Sequence, residues 1–232
     1  MDALDRLLAR RLAATVVGEA NARRYKRGRV LAIAPSLVPA EAVEADPPER
    51  DWSGEIALLT VGRIDAEKNP LLLVEAIAEL ERRRPGVFRL LWAGVGPLED
   101  DVRSRAAELG VDDRIELLGY LPFPELLPHY RAAHAFVHVS FTEGVPQVLT
   151  EALACGAVVV ATDVGGVSEA LDGGRAGLLV PPAERDALVD AVLRITDDDV
   201  LRRGLSERGR EHARDRTLEA QATRVAAFLR GD

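Results

Sequence analysis

The chain has 232 residues, 47% of them hydrophobic and 29% charged, with a formal net charge of −8. That balance fits a folded domain with a small appendage and excludes a disordered chain, while the acidic surplus argues against a nucleic-acid-binding surface. A single cysteine, Cys155, excludes an internal disulfide framework and a cysteine-rich metal cluster. No apolar run approaches the roughly 20 residues of a membrane span. The opening MDALDRLLARRL mixes charges into its apolar stretch, unlike a secretory signal, so the expected location is cytoplasmic.

The first 50 residues read differently from the rest. Leu4, Leu7, Leu8 and Leu12 predict an amphipathic helix, ATVVG a short strand, and the stretch through Arg24 a second helix, followed by RVLAIAP. Eight Arg and Lys residues against three acids make residues 1–29 a basic arm on an acidic chain. The segment AEAVEADPPERDWSG, rich in Pro and charge, reads as a linker, giving an appendage over 1–50 and a main domain over 51–232. Lys68 is one of only two lysines in the chain and sits in a turn flanked by asparagine.

From residue 55 onward β-rich runs alternate with helical patterns. The predicted strands are EIALLTV (55–61), FRLLWAG (88–94), RIELLG (114–119), HAFVHVS (134–140), AVVVAT (157–162) and GLLV (177–180). Helices are predicted near 70–83, 97–109, 123–132 and 146–155, and after Pro181-Pro182 near 183–196, 198–213 and 217–229. Continuous Val, Leu and Ile runs mark strands covered on both faces, hence an α/β fold with a Rossmann-like, doubly wound parallel sheet.

Three stretches carry chemistry. VGRIDAEKNP (61–70) follows a strand end and bears Arg63 and Lys68 just beyond Gly62. Ligands of open parallel sheets bind beyond the carboxyl ends of strands, and this cation pair suits a diphosphate; two solvated loop charges would look the same. AGVGP (93–97) places Gly94 and Gly96 between a strand and a helix start, where backbone can approach an anion, although glycine turns after strands are common. It is too short for GxGxxG.

The third stretch, SFTEGVPQVLTEALACG (140–156), is the informative one. Glu143 closes a loop, Gly144-Val145-Pro146 opens a helix, and Glu151 lies about a turn and a half into it. Two carboxylates with helix-start amides between them, those up to Val148 and Leu149 included, form a site for a polyhydroxylated, phosphorylated ligand. A structural reading is open too, with Glu143 as an N-cap acid and Glu151 as an exposed helix residue. Against it, a carboxylate without a partner inside VLTEALA is costly. His129, His134 and His138 show no metal-ligand pattern and read as satisfied core or surface histidines, and Cys155 as a small buried hydrophobe.

In this order GRIDAEKNP, AGVGP, IELLGYL, HAFVHVSFTEGVPQVLTEALACG, VVVATDVGGVSEAL and AGLLVPP resemble the C-terminal, donor-binding domain of group 1 glycosyltransferases, the retaining family with the GT-B fold, over residues 56–230. The resemblance implies that Arg63 and Lys68 hold the diphosphate of a nucleotide sugar and that Glu143 faces the donor sugar. It further implies that Glu151 binds the ribose, that the amides of Gly144 to Leu149 lie near phosphates and sugar, and that Tyr120 and Leu121 lie beside the base. No metal or other cofactor is implied.

LDRLLARRLAATVVGEANARRY resembles the last helix, strand and helix of that family's N-terminal domain, so most of the acceptor-binding half is expected to be missing. A lone ATVV strand would have no sheet to join, and an exposed edge invites pairing with a partner chain or a second copy over 1–50. Three readings stand at this point. The chain is a glycosyltransferase subunit or fragment, a nucleotide-sugar-binding module without turnover, or a scaffold whose basic arm docks a membrane or a partner.

Overall fold

The structure, a computed structural model, describes residues 14–23, 25, 29–34 and 36–231. The amphipathic helix expected on Leu4 to Leu12 lies outside the described residues. The elements are β1 (Ala14–Val17), α1 (Glu19–Ala22), β2 (Val30–Ile33), α2 (Ala40–Glu44), β3 (Ile56–Val61), α3 (Pro70–Arg83), β4 (Phe88–Ala93) and α4 (Glu99–Leu109). They continue with β5 (Ile115–Gly119), α5 (Phe123–Ala132), β6 (Ala135–His138), α6 (Gln147–Ala154), β7 (Val158–Thr162), α7 (Val167–Ala170) and β8 (Leu178–Val180). Three helices follow: α8 (Arg185–Asp197), α9 (Asp199–Arg214) and α10 (Leu218–Arg230). From residue 55 onward the expected strands and helices are all present, with ends shifted by a residue or two.

The main sheet has six parallel strands in the order β5-β4-β3-β6-β7-β8. Successive side chains of a strand point to opposite faces, so each continuous apolar run feeds two cores. Leu58, Leu90, Val137 and Val160 pack on one face against α3, α4 and α8, through residues such as Ile77, Val102 and Val189. Leu59, Leu91, Phe136 and Val159 pack on the other against α2, α5, α6 and α7, through Val43, Tyr130, Leu149 and Val167. The strand order reverses between β3 and β6, and in open parallel sheets the crevice that takes a ligand lies beyond the strand ends at such a point.

One expectation about the first 54 residues is corrected. The ATVV strand does have a partner: β1 pairs with β2 in parallel, from Ala14 opposite Val30 to Val17 opposite Ile33. Because α1 makes the crossover, even this short segment completes a strand–helix–strand unit. The segment read as a linker packs on the main domain. Ala42 and Val43 of α2 are buried, and the Arg50 guanidinium donates to the carbonyls of Gly156, Cys155 and Arg131 at 3.0–3.1 Å. Trp52 meets His134 edge-on at 5.2 Å, under the Arg202 guanidinium.

The last helix returns to this segment. Gln221 accepts from the Ala34 amide at 3.0 Å, the Leu218 amide donates to Val38, and Arg224 donates to the carbonyl of Ala32. Among the described residues no helix is long and apolar enough to cross a membrane.

Candidate functional site

The loop after β3 is preset by local chemistry. The Asp65 carboxylate caps a 3-10 turn over Ala66–Lys68 by accepting from the Lys68 amide at 3.2 Å. Asn69 takes a left-handed conformation and Pro70 starts α3, a tolerated first-turn position for proline. Lys68 is thereby aimed toward the loop that follows β6. The two loops are also joined by main chain, since the Phe141 amide donates to the Glu67 carbonyl at 2.8 Å.

Across that gap Lys68 forms an ion pair with Oε1 of Glu143. The same oxygen accepts from the Ser140 hydroxyl at 2.6 Å and meets His138 Nε2 at 2.8 Å. The Glu143 side chain is 9% exposed. Burial alone would raise its carboxyl, but His138, Lys68 and Ser140 together hold it down at about 2. It is an anion at neutral pH, and it is not the N-cap of α6, which Pro146 occupies. The start of α6 has no side-chain cap, so its first amides are available to an acceptor.

Glu151 lies in a different environment. It is 7% exposed within α6 and accepts from the Tyr130 hydroxyl at 2.7 Å, which supplies the partner that its apolar surroundings demand. Burial raises its carboxyl above the usual range, with Tyr130 offsetting only part of that, and burial likewise pushes the Tyr130 phenol well up. The exposed-residue reading of Glu151 is therefore wrong.

The glycines are explained by backbone approach. A Cβ at Gly94 would fall 1.9 Å from the Gly62 carbonyl oxygen, and one at Gly96 would fall 2.2 Å from that of Ile64. The AGVGP turn thus presses against the β3 loop, and the Gly94 amide donates to Gly119 at 2.8 Å. The helix that follows carries Glu99, Asp100 and Asp101 in its first turn, which already complement its dipole and disfavour a second anion there.

Arg63 is 70% exposed, paired with Asp65 at 2.8 Å and Glu67 at 3.4 Å. Tyr120 is 76% exposed, and Leu121 is half-buried beside it. Pro146 and Leu149 are buried while Val145 and Val148 are half-buried. Gly144 is exposed, with open space where a Cβ would be.

Several participants were missed at the sequence level. His138, read as an ordinary core histidine, is indeed buried and satisfied, but its partner is Glu143. His134 fits the ordinary reading, accepting from the Ala57 amide with Nδ1 and reaching the Asp51 carbonyl with Nε2, both at 3.0 Å. Gly165 and Gly166 let the loop after β7 lie against the Glu143 loop: a Cβ on either would come within 1.9 or 2.0 Å of the carbonyl oxygens of Glu143 and Gly144. The paired glycines after a strand were the available signal. Cys155 is buried as expected, its thiol pushed up by burial to about 11.

A cavity of about 700 Å3 opens from Glu143 and Gly144 toward the appendage. Gly18 and Asn21 form one wall, and Gly165, Ser168 and Arg216 another. The Glu19 amide reaches across to the Glu169 carboxylate at 2.8 and 2.9 Å. Among the described residues no group of three His, Cys, Asp or Glu side chains is placed to hold a metal ion.

The family description "Glycosyl transferases group 1" matches residues 55–198. The chain belongs to that family. It is 38% identical over 173 residues to a D-inositol 3-phosphate glycosyltransferase of Corynebacterium efficiens, covering 72% of this chain and 41% of that protein. It is 41% identical over 152 residues to the enzyme of the same name from Pseudarthrobacter chlorophenolicus, covering 64% of this chain and 36% of the relative. The chain therefore spans about two fifths of the length of the curated relatives it matches. Among solved structures, a sucrose-phosphate synthase from Thermosynechococcus elongatus superposes with a TM-score of 0.77 at 28% identity, over 98% of this chain and 60% of the other. The α/β architecture with its parallel six-stranded sheet is that of a GT-B glycosyltransferase.

Proposed function

We propose that the crevice between the β3 and β6 loops binds a nucleoside diphosphate sugar, and that this chain is the donor-binding part of a retaining glycosyltransferase. The observation that carries the reading is the meeting of Lys68 and Glu143 from two loops at the point where the strand order reverses. A diphosphate placed there faces the Lys68 ammonium, the Arg63 fork and the uncapped amides of α6. In this reading these groups meet its charge without a metal, and they stabilise the charge that develops as the diphosphate leaves.

Glu143, anionic and lining the cavity, orients the sugar hydroxyls, while Glu151 takes the ribose and Tyr120 with Leu121 flank the base. The acceptor enters through the cavity walled by Gly18 and Asn21 and attacks from the leaving-group face, with the phosphate taking its proton. Hydrolysis by paired carboxylates is disfavoured because such pairs must flank the scissile bond, and Glu151 is instead buried within α6 against the Tyr130 hydroxyl. The relatives' name points to a phosphorylated polyol as one acceptor class to try.

A second reading, a nucleotide-sugar-binding module without turnover, is favoured by the β1–β2 sheet, which among the described residues has two strands and offers an acceptor few walls by itself. Polypeptide lying beside β1 and β2, from a partner chain or a second copy, would complete it. Calorimetry against UDP-, GDP- and ADP-sugars tests the shared core of both readings, and no binding to any donor at millimolar concentration refutes it. Sugar transfer to an acceptor panel by the chain alone, or only after a partner is added, separates the two.

A further inference from the structure

The three donors to Glu143 are not equivalent. Lys68 comes from another loop and carries a charge that a diphosphate also attracts, whereas Ser140 and His138 belong to the strand and loop that hold Glu143. All three converge on Oε1 of a carboxylate that lines the cavity. His138 is 3% exposed at the end of β6, with its ring stacked on Phe136 at 6.3 Å and 13° between planes, so Nε2 has a set direction. An ionised carboxylate only accepts, so Nε2 carries the hydrogen in this contact.

We propose that His138 is a positioning residue for the donor sugar: with Ser140 it anchors Oε1 of Glu143 when Lys68 turns to the diphosphate, leaving Oε2 to receive the sugar. This rests on the reading of the crevice as a nucleotide-sugar site. His138 contacts no substrate in this scheme. Its effect is confined to the sugar end of the ligand, because the diphosphate is met by Lys68, Arg63 and the α6 amides.

The test compares UDP, GDP and ADP with UDP-glucose, UDP-N-acetylglucosamine, GDP-glucose and ADP-glucose, by calorimetry on the chain and on His138→Leu and His138→Gln. The glutamine keeps an N–H near the position of Nε2. Both variants are expected to hold the bare nucleoside diphosphates within about twofold of the parent, while the preference for the sugar conjugate falls about tenfold in His138→Leu and returns in His138→Gln. A parent chain that binds none of the probes overturns the site reading and this role with it. A parent that binds the nucleotides with no preference for a sugar, or a leucine variant that keeps that preference, overturns the role of His138 alone. If the leucine variant does not fold, nitrogen-15 spectra of the parent decide. An Nε2–H that persists when the sugar conjugate is added supports the role, and an Nδ1–H tautomer overturns it.

Discussion

The two acidic residues of the Glu-x7-Glu element, eight positions apart, are held by opposite means. Glu143 sits on a loop at the crevice, where three donors from two elements converge and keep it ionised. Glu151 sits inside α6, where burial raises its carboxyl and one tyrosine hydroxyl supports it. The first is an anion fixed in place at the cavity wall. The second is a buried acid whose ionised form the fold disfavours, and a ligand hydroxyl would give it a further donor. Equal residues in one motif thus acquire different electrostatics from the number of donors each is given.

The comparison breaks most completely if the Glu143 loop loses its seat. Gly165→Ala sets a methyl against the Glu143 carbonyl from a left-handed backbone position, and denaturant unfolding is expected to show a loss of about 2–4 kcal/mol. Donor binding should disappear with it; an unchanged unfolding midpoint would mean that the β7 loop does not buttress the site.

Lys68→Met removes the ammonium from both Glu143 and the diphosphate. Nucleoside diphosphate affinity should fall about 100-fold in calorimetry. A change of less than threefold would place the diphosphate elsewhere.

Tyr130→Phe takes away the described donor of Glu151 and spares Glu143. Chemical unfolding at neutral pH should show a cost of about 1–2 kcal/mol, because the carboxylate then lacks that bond in the interior. Glu151→Gln should be close to neutral for stability while weakening nucleotide binding. If the two substitutions destabilise equally, the tyrosine serves packing rather than the acid.

The smallest effect is in the pH dependence. Glu143 is depressed when folded, so its contribution is present at neutral pH and is lost as pH falls from the ordinary value of 4.5 toward about 2. Glu151 is raised when folded, so its contribution is greatest in acid and is lost as pH rises above 4.5. Glu143→Gln should flatten the acid limb of a thermal-melt series, and Glu151→Gln should flatten the limb above it. Parallel curves for both variants would show that the two carboxyls titrate alike.

Most of the main domain was legible in the sequence because its signals are local. Runs such as HAFVHVS and AVVVAT read as strands buried on both faces, and the structure splits their residues between two cores. Asp65, Asn69 and Pro70 shape the Lys68 turn within a few residues of one another. The appendage was harder. That β1 finds a partner in β2, that α2 and Arg50 dock on the main domain, and that α10 returns to Ala34 all depend on residues far apart in the chain. The site was legible as a set of residue types, Arg63, Lys68, Glu143 and Glu151, but not as a network.

The sequence by itself determined the strands, the helices and the acidic pair, because hydrophobic periodicity and capping act over a few residues. Tertiary structure decided which atoms face one another. His138 looked bland until β3 was laid beside β6 and brought Lys68 to the same oxygen, and Tyr130 became the partner of Glu151 only when α5 packed on α6. Hydrogen bonds and desolvation depend on positions to a few tenths of an ångström, and only the packed chain sets those.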